Sequence, residues 1–596
     1  MMRRHRSTFL CFAAPVLATA VWLSAPRAEA CGGFFCDGGS TPMPVDQTGE
    51  NILFVTDGAM VEAHIQIQYA GEPERFSWVI PVPSLPTFRV GSQPLFDNLL
   101  AGSVPTYGIT TTGFRCDSSF SGSSGGAFSS ASSSGGASSS SGGGGAQVVY
   151  RETVGVYDVT VLQGGSGQEV VTWLNDNGYQ QDVEAPPILD EYVALNHLFV
   201  AVKLIRDAGS NELHPLVVRY LGDKPCVPLK LTAIASVENM GVRAFFLGQN
   251  RVVPERYKHV ELNPLRVDWL NRGSNYRTVV NNAVNEAQGG LAFITEYAGP
   301  SSVVTTSFPS VAYSALWDSS VFQDAEPVNV VTLLQQQGLA GCDPFSGSVS
   351  STSSGGSGGA CLFRHPLLIG LLRRYVPAPE GVMEADFYGC LSCYAERIDQ
   401  TAWNGAEFAA ALQERIVEPG QHAQEILQQN PYLTRLFTTI SPSEMVEDPM
   451  FHERTDLEDV ATARNATREV LCNSEAAVTT PEGRVVWTNG FSWPQFDDDM
   501  PWTLRVEEFT ENGPVTTIAD NTEVVDAELD AWNTQNGYSL TSSGGATSSG
   551  GTDTSTSSGG GPFTPPGSDD DSGVPADGST CACAIPVTDV PMGLAA

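Results

Sequence analysis

Residues 52–69, Ile-Leu-Phe-Val-Thr-Asp-Gly-Ala-Met-Val-Glu-Ala-His-Ile-Gln-Ile-Gln-Tyr, hold two apolar runs on either side of Asp57-Gly58. Asp-Gly tolerates the left-handed backbone of a tight hairpin turn. Beyond it Val61, Ala63, Ile65, Ile67 and Tyr69 fall on one face, and Glu62, His64, Gln66 and Gln68 on the other, the period of two that marks a strand. Phe76, Trp78, Ile80 and Val82 continue that period after Gly71-Glu72-Pro73. Pro81 and Pro83 cannot donate to a ladder and place this strand at an edge. The stretch predicts a meander of at least three antiparallel strands.

Working outward, strands are expected over Val154–Leu162, Leu198–Ile205, Leu216–Tyr220, Leu229–Ile234, Val242–Leu247 and Leu291–Tyr297. Helices are expected over Gln168–Asn177, stopped by Gly178, over Ile188–Asn196, and over Tyr276–Gln288. In the last, Tyr276, Val279, Val280, Ala283, Val284 and Ala287 recur at helical spacing after Ser274 or Asn275 as N-cap, with Gly289-Gly290 beyond. From Val328 the pattern turns helical: Val328–Gln337, His365–Tyr375, Glu407–Val417 stopped by Pro419-Gly420, and Ala423–Gln429 stopped by Pro431. Strand-like runs return at Arg484–Thr488 and Trp502–Glu508. The fold class is α+β, with an antiparallel-sheet-rich N-terminal half, a mostly helical second half and a small β-containing C-terminal unit.

The first thirty residues have the parts of a secretory signal: Arg3, Arg4 and Arg6, an apolar run from Phe9 to Leu23, and Ala28-Glu29-Ala30 ahead of Cys31. Its removal takes away four Arg and one Glu, and turns the chain's charge of −36 into −39. Such a surface repels polyphosphates and excludes nucleic acid as a partner. No other stretch is apolar enough for a membrane span. Three Ser/Gly tracts, 117–146, 346–359 and about 541–579, lack the apolar content to offset their ordering entropy and are expected as linkers or surface loops. The organisation expected is a signal at 1–30, a folded region at 31–455 carrying the first two tracts, a small unit at 456–536, a linker at 537–580 and a Cys-containing tail at 581–596.

Eleven cysteines remain after the signal, an odd number for an oxidising compartment. Joining Cys342 to Cys361 would close a loop around the second tract, worth roughly 3 kcal/mol in the chain-entropy model. Cys31 and Cys36 enclose Gly32-Gly33-Phe34-Phe35 and suit a small disulfide loop. An N-terminal Cys31 also raises acylation, although Ala28 and Glu29 are not the residues such a signal prefers. Cys390-Leu391-Ser392-Cys393 has the spacing of a structural disulfide, a redox pair or half a zinc site.

Other chemical motifs are sparse. Gly122-Ser123-Ser124-Gly125-Gly126 fits a nucleophile elbow by composition alone, inside a low-complexity tract. H-E-x-x-H and Walker A patterns are absent, and the seven histidines from His64 to His452 stand singly without ligand spacing. Asp497-Asp498-Asp499 and Asp569-Asp570-Asp571 lack the alternation of an EF-hand loop, leaving weak divalent-cation binding by the acidic surface. The sequence therefore nominates no catalytic, cofactor-binding or metal-ligating residue and no cofactor.

Several segments are nevertheless familiar: Ala30–Cys36, Ala63–Tyr69, Phe76–Pro83, Leu231–Ala235, Gly273–Tyr276, Tyr432–Leu436, Ser441–Met445 and Asp448-Pro449. In this order, over roughly residues 30–455, they resemble an exported bacterial family catalogued as domain of unknown function 2330. The resemblance implies export and a shared fold, and no activity. The tail resembles the opening of a myxobacterial-type surface-sorting signal, a Ser/Gly/Asp-rich linker ahead of Cys581-Ala582-Cys583; it departs by stopping at Ala596 without a hydrophobic span and Arg cluster. Cys581 and Cys583 are its candidate attachment residues.

The functional expectation is a non-enzymatic, disulfide-stabilised envelope or cell-surface protein, structural or binding, with an envelope or surface protein as partner. The alternatives are an exported enzyme, whose sign would be a pocket joining His64 or His197 to carboxylates, and a thiol–disulfide protein using Cys390 and Cys393.

Overall fold

The computed structural model describes residues 47–66, 77–115, 146–179, 185–205, 212–222, 224–234, 236–287, 289–342, 361–471, 474–511 and 513–537. All of them belong to one of the chain's two compact units, residues 1–539. The expected signal, Cys31, Cys36, the Ser/Gly tracts apart from Ala146, and the tail with Cys581 and Cys583 lie outside the described residues.

A ten-stranded sheet organises the molecule. Its strands in chain order are β1 (Gln47–Asp57), β2 (Met60–Gln66), β3 (Thr87–Val90), β4 (Leu216–Leu221), β5 (Ser236–Gly248), β6 (Lys258–Leu262), β7 (Ala292–Pro300), β8 (Tyr432–Ile440), β9 (Thr503–Glu508) and β10 (Thr516–Asp520). Their spatial order is β10-β9-β6-β7-β8-β5-β1-β2-β4-β3. Neighbours run antiparallel except β6 with β7 and β1 with β5. The opening hairpin forms as expected: Asp57 pairs with Met60 around Gly58-Ala59, and Gly58 takes a φ of +60°.

The meander does not continue to a third strand. Ser77–Val82 instead joins a second, antiparallel sheet in the order Ser77–Val82, Leu198–Leu204, Tyr157–Gln163, Gln147–Val154, at whose edge Pro81 is tolerated. The reason is burial on both faces. Trp78, Ile80 and Val82 pack against Phe54, Ala63 and Ile65 of the large sheet, while Val79 packs against Val170, Leu174 and Leu189 of the helices Gly167–Asp176 and Ala185–Ala194. β4 occupies the edge of β2 that a meander would have used.

The opposite face of the large sheet is covered by α1 (Gln93–Ser103) and α3 (Glu418–Gln429), through Leu95, Phe96 and Leu99 and through Ala423 and Ile426, against Leu53, Val55, Phe245 and Leu247. Between them in sequence, α2 (Tyr276–Glu286) starts at Asn275 and buries Val279, Val280, Ala283 and Val284 as its spacing predicts.

The chain is thus mixed α and β, but its halves are interleaved. The second half supplies β8 to the middle of the large sheet, and Ala463–Leu471 runs parallel to Thr106–Arg115 in a four-stranded sheet with Ala476–Thr479 and Val485–Thr488. A separate helical core gathers Phe322, Leu334, Leu368, Leu372, Phe408 and Ile416. Leu229–Ile234 is not a strand: Leu229–Thr232 makes one helical turn after Pro228, and Asp448 accepts the backbone N–H of Lys230 at 2.9 Å. Nor does Pro419-Gly420 stop its helix. Gly405–Leu412 passes through a π-helical turn, Gln413–Val417, directly into α3. The wider turn precedes the proline, whose missing N–H then falls in the first turn of α3.

Candidate metal centre

Glu62 and His64 stand two residues apart on β2, so both side chains leave the same face of the strand. The alternation marks this face as polar and solvated. In the structure Glu62 and His64 are nonetheless buried, because α3 lies over the sheet there. The π-turn sets the phase of α3, and His422, one turn after Pro419, comes down onto the pair. Gly420 lets α3 lie close against the chain at Ala312: a Cβ at that position would stand 2.2 Å from the carbonyl oxygen of Ala312.

The three side chains converge on one atom. Glu62 Oε1 lies 2.8 Å from His64 Nε2 and 2.5 Å from His422 Nε2. The imidazoles stack at 5.6 Å with 10° between their planes. One ligand atom from each residue lies within 4.8 Å of the other two, and these are the three residues that could together hold a metal ion among the described residues. Separations of 2.5 and 2.8 Å are hydrogen-bond distances, shorter than the about 3.3 Å edge of a tetrahedron with bonds of about 2.0–2.1 Å. An ion would replace these hydrogen bonds, with the imidazole nitrogens moved outward from Glu62 Oε1.

Burial pushes the Glu62 carboxyl up, but the hydrogen bonds and charges of His422 and His64 outweigh it and hold it well below the usual carboxylate range. Burial holds His64 below the ordinary imidazole value against the pull of Glu62. Glu62 is thus kept as a carboxylate and burial disfavours the charged form of His64, the directions that metal ligation requires. His64 Nδ1 is buried without a hydrogen-bond partner. No outer bond fixes the ring's tautomer, so Nε2 can offer a proton to Glu62 or a lone pair to a cation.

His422 borders two surface clefts, of about 420 and 410 Å³. The first is lined by Glu152, Glu414, Glu418 and Glu425 against the single cation Arg89, and Glu62 itself lines the second. Acidic clefts concentrate cations at such an opening.

Of the other histidines, His197 packs edge-on against Tyr192; His64 contacts the Glu62 carboxylate but does not line either cleft, which Glu62 and His422 reach instead. Cys342 and Cys361 stand at disulfide distance on the paired strands Ala340–Cys342 and Cys361–Phe363, as do Cys390 and Cys393 after the helix Glu384–Gly389. Cys226 is the free cysteine among the described residues, and burial pushes its thiol up.

Comparison with known families matches residues 25–321 to the model described as an uncharacterized protein conserved in bacteria, DUF2330. The segment is similar to that family over just under half of the chain. No curated protein and no solved structure matches the chain. The DUF2330 match is shorter than the stretch over which the resemblance was read and ends at residue 321. Glu62 and His64 lie inside the matched residues, and His422 is brought to them by the chain that follows. Sequence reasoning missed the site because its members are 360 positions apart, although Glu62-Ala63-His64 on a predicted strand carried half of it. No helix among the described residues is long and apolar enough to cross a membrane.

Proposed function

We propose that this protein is an exported envelope or cell-surface protein that binds a divalent transition metal of the zinc class through Glu62, His64 and His422. The observation that carries the reading is the convergence of two imidazole nitrogens and a carboxylate on one buried point beside an acidic cleft. Two His and one carboxylate form a borderline-soft donor set suited to zinc, and with three protein ligands a tetrahedral ion keeps one open position.

Export is supported by the signal pattern of residues 1–30, and surface display by the Ser/Gly/Asp-rich segment ahead of Cys581 and Cys583. The pairs Cys342–Cys361 and Cys390–Cys393 suit an oxidising compartment and act as staples of the helical core. The acidic surface keeps the protein from anionic neighbours and raises the local concentration of cations. An open coordination position at a cleft also favours a second reading, an exported metal-dependent hydrolase, in which Glu62, His64 and His422 hold the ion and substrate enters past Glu418 and Glu425.

The test is a titration of metal-stripped protein with Zn²⁺ against a chromophoric chelator at neutral pH. One equivalent bound by the natural protein, and none by His64→Ala and His422→Ala, is the expected result. Absence of stoichiometric binding in the natural protein would make the cluster a structural hydrogen-bond staple.

A further inference from the structure

A second cavity, of about 410 Å³, opens over β6, β7 and β9, a size in the roughly 300–1,000 Å³ range of small-ligand sites. Its floor holds a hydrogen-bond relay across four strands, β6, β7, β9 and Arg251–Glu255. Arg251 Nη2 donates to Thr295 Oγ1 at 3.2 Å, Thr295 lies 2.9 Å from His259 Nε2, and His259 Nδ1 lies 3.3 Å from Glu507 Oε2. The chain is consistent in direction when Thr295 donates to Nε2 and His259 carries its proton on Nδ1.

Two guanidiniums at this floor have no carboxylate partner. Arg251 is 9 % exposed; its Nη1 donates to the carbonyl of Glu458 at 2.7 Å, and its buried Nε has no partner. Half-buried Arg464 donates to the Tyr107 hydroxyl at 2.7 Å and to the carbonyls of Thr295 and Glu296 at 3.5 Å. Among the described residues neither forms a direct ion pair: Glu507, Asp459 and Glu261 act on Arg251, and Glu296 on Arg464, only through space, and sequestered guanidiniums with no contacting carboxylate are costly. The rim is predominantly of the opposite sign: Glu261, Glu458, Asp459 and Glu482 are exposed around the same opening, and the one cation among them, Arg505, is paired with Glu261 and Glu507. A simple anion would be repelled at this entrance, and a simple cation would meet Arg251 and Arg464 at the floor.

We propose that this cavity binds a small zwitterion of the amino-acid or short-peptide class, its carboxylate on Arg251 and Arg464 and its ammonium among the rim carboxylates. The inference is independent of the metal centre, with which it shares no residue.

Calorimetric titration of the protein with 6-aminohexanoate, hexanoate and hexylamine as probes tests it. The expected result is saturable binding of 6-aminohexanoate at least tenfold tighter than of either single-charge probe. Arg251→Met should remove it, and Glu482→Gln, an exposed change that leaves the floor intact, should weaken it severalfold. Absence of binding by all three probes overturns the proposal. So does hexanoate or hexylamine binding as tightly as 6-aminohexanoate, or a Glu482→Gln variant with unchanged affinity.

Discussion

Glu62 Oε1 lies 2.5 Å from His422 Nε2, although 360 positions separate the two residues in the chain. The contact joins β2 to α3, so an ion held there would brace the sheet against the helix that covers it. Zinc is accordingly expected to stabilise the fold, by about 2.7 kcal/mol at a free concentration one hundred times its Kd. His422→Ala should lose this zinc-dependent rise in melting temperature. Equal zinc-induced shifts in the natural protein and the variant would place the ion elsewhere.

Arg435 on β8 and Glu296 on β7 form an ion pair whose side chains are 3 % and 2 % exposed. Arg435 also donates to the carbonyl of Leu100 and the hydroxyl of Ser103, and Glu296 accepts from Tyr276, so the pair ties α1 and α2 to the sheet. Removing one partner leaves a buried charge uncompensated. Arg435→Met is expected to cost about 3–5 kcal/mol, and the double variant Arg435→Met, Glu296→Leu to recover much of that loss. Urea denaturation of these two variants and of Glu296→Leu alone checks it; additive losses would mean that the charges do not couple.

Legibility in the sequence followed the way each residue is buried. The turn at Asp57-Gly58 was readable from its dipeptide, and β2 and the helix at Tyr276 because each turns one apolar face to the core and the other to solvent or polar surroundings. Tyr432–Ile440 was not, because β8 lies between neighbours in the middle of the sheet and is buried along nearly its whole length, which erases alternation. Pro419 misled because a π-turn, invisible in composition, lets the helix continue past it. The metal centre was half legible: Glu62 and His64 share a strand face, but nothing local to His422 says which strand α3 will cover.

Glu50 on β1 is 4 % exposed, its Oε2 is buried without a partner, and burial pushes its carboxyl up to about 7. The folded state therefore holds this proton more tightly than the unfolded chain, whose carboxyl keeps its ordinary value of 4.5. Below pH 4.5 both states are protonated and the residue costs nothing. As pH rises toward 7 the unfolded chain ionises first, and stability falls until it levels off about 3 kcal/mol lower. Glu50→Gln should thus stabilise the protein by about 2–3 kcal/mol at pH 8 and by little at pH 4.5. Urea melts at the two pH values decide it, and equal effects at both would remove ionisation as the cause.

Cys342 and Cys361 are 19 positions apart, and the strands that carry them, Ala340–Cys342 and Cys361–Phe363, are paired at the edge of the helical core. The bond's benefit then comes chiefly from the unfolded state, where it keeps the Ser/Gly stretch 346–359 from opening. Replacing both cysteines by Ser should cost roughly 3 kcal/mol. If entropy is the cause, the loss must depend on loop length, because closing a loop without the bond costs more as the loop grows. Deleting residues 346–359 is therefore expected to restore about 1 kcal/mol in the Ser/Ser variant and to change little while the disulfide is intact. A deletion that shifts both backgrounds equally in urea denaturation would assign the bond's contribution to native contacts rather than to the chain it closes.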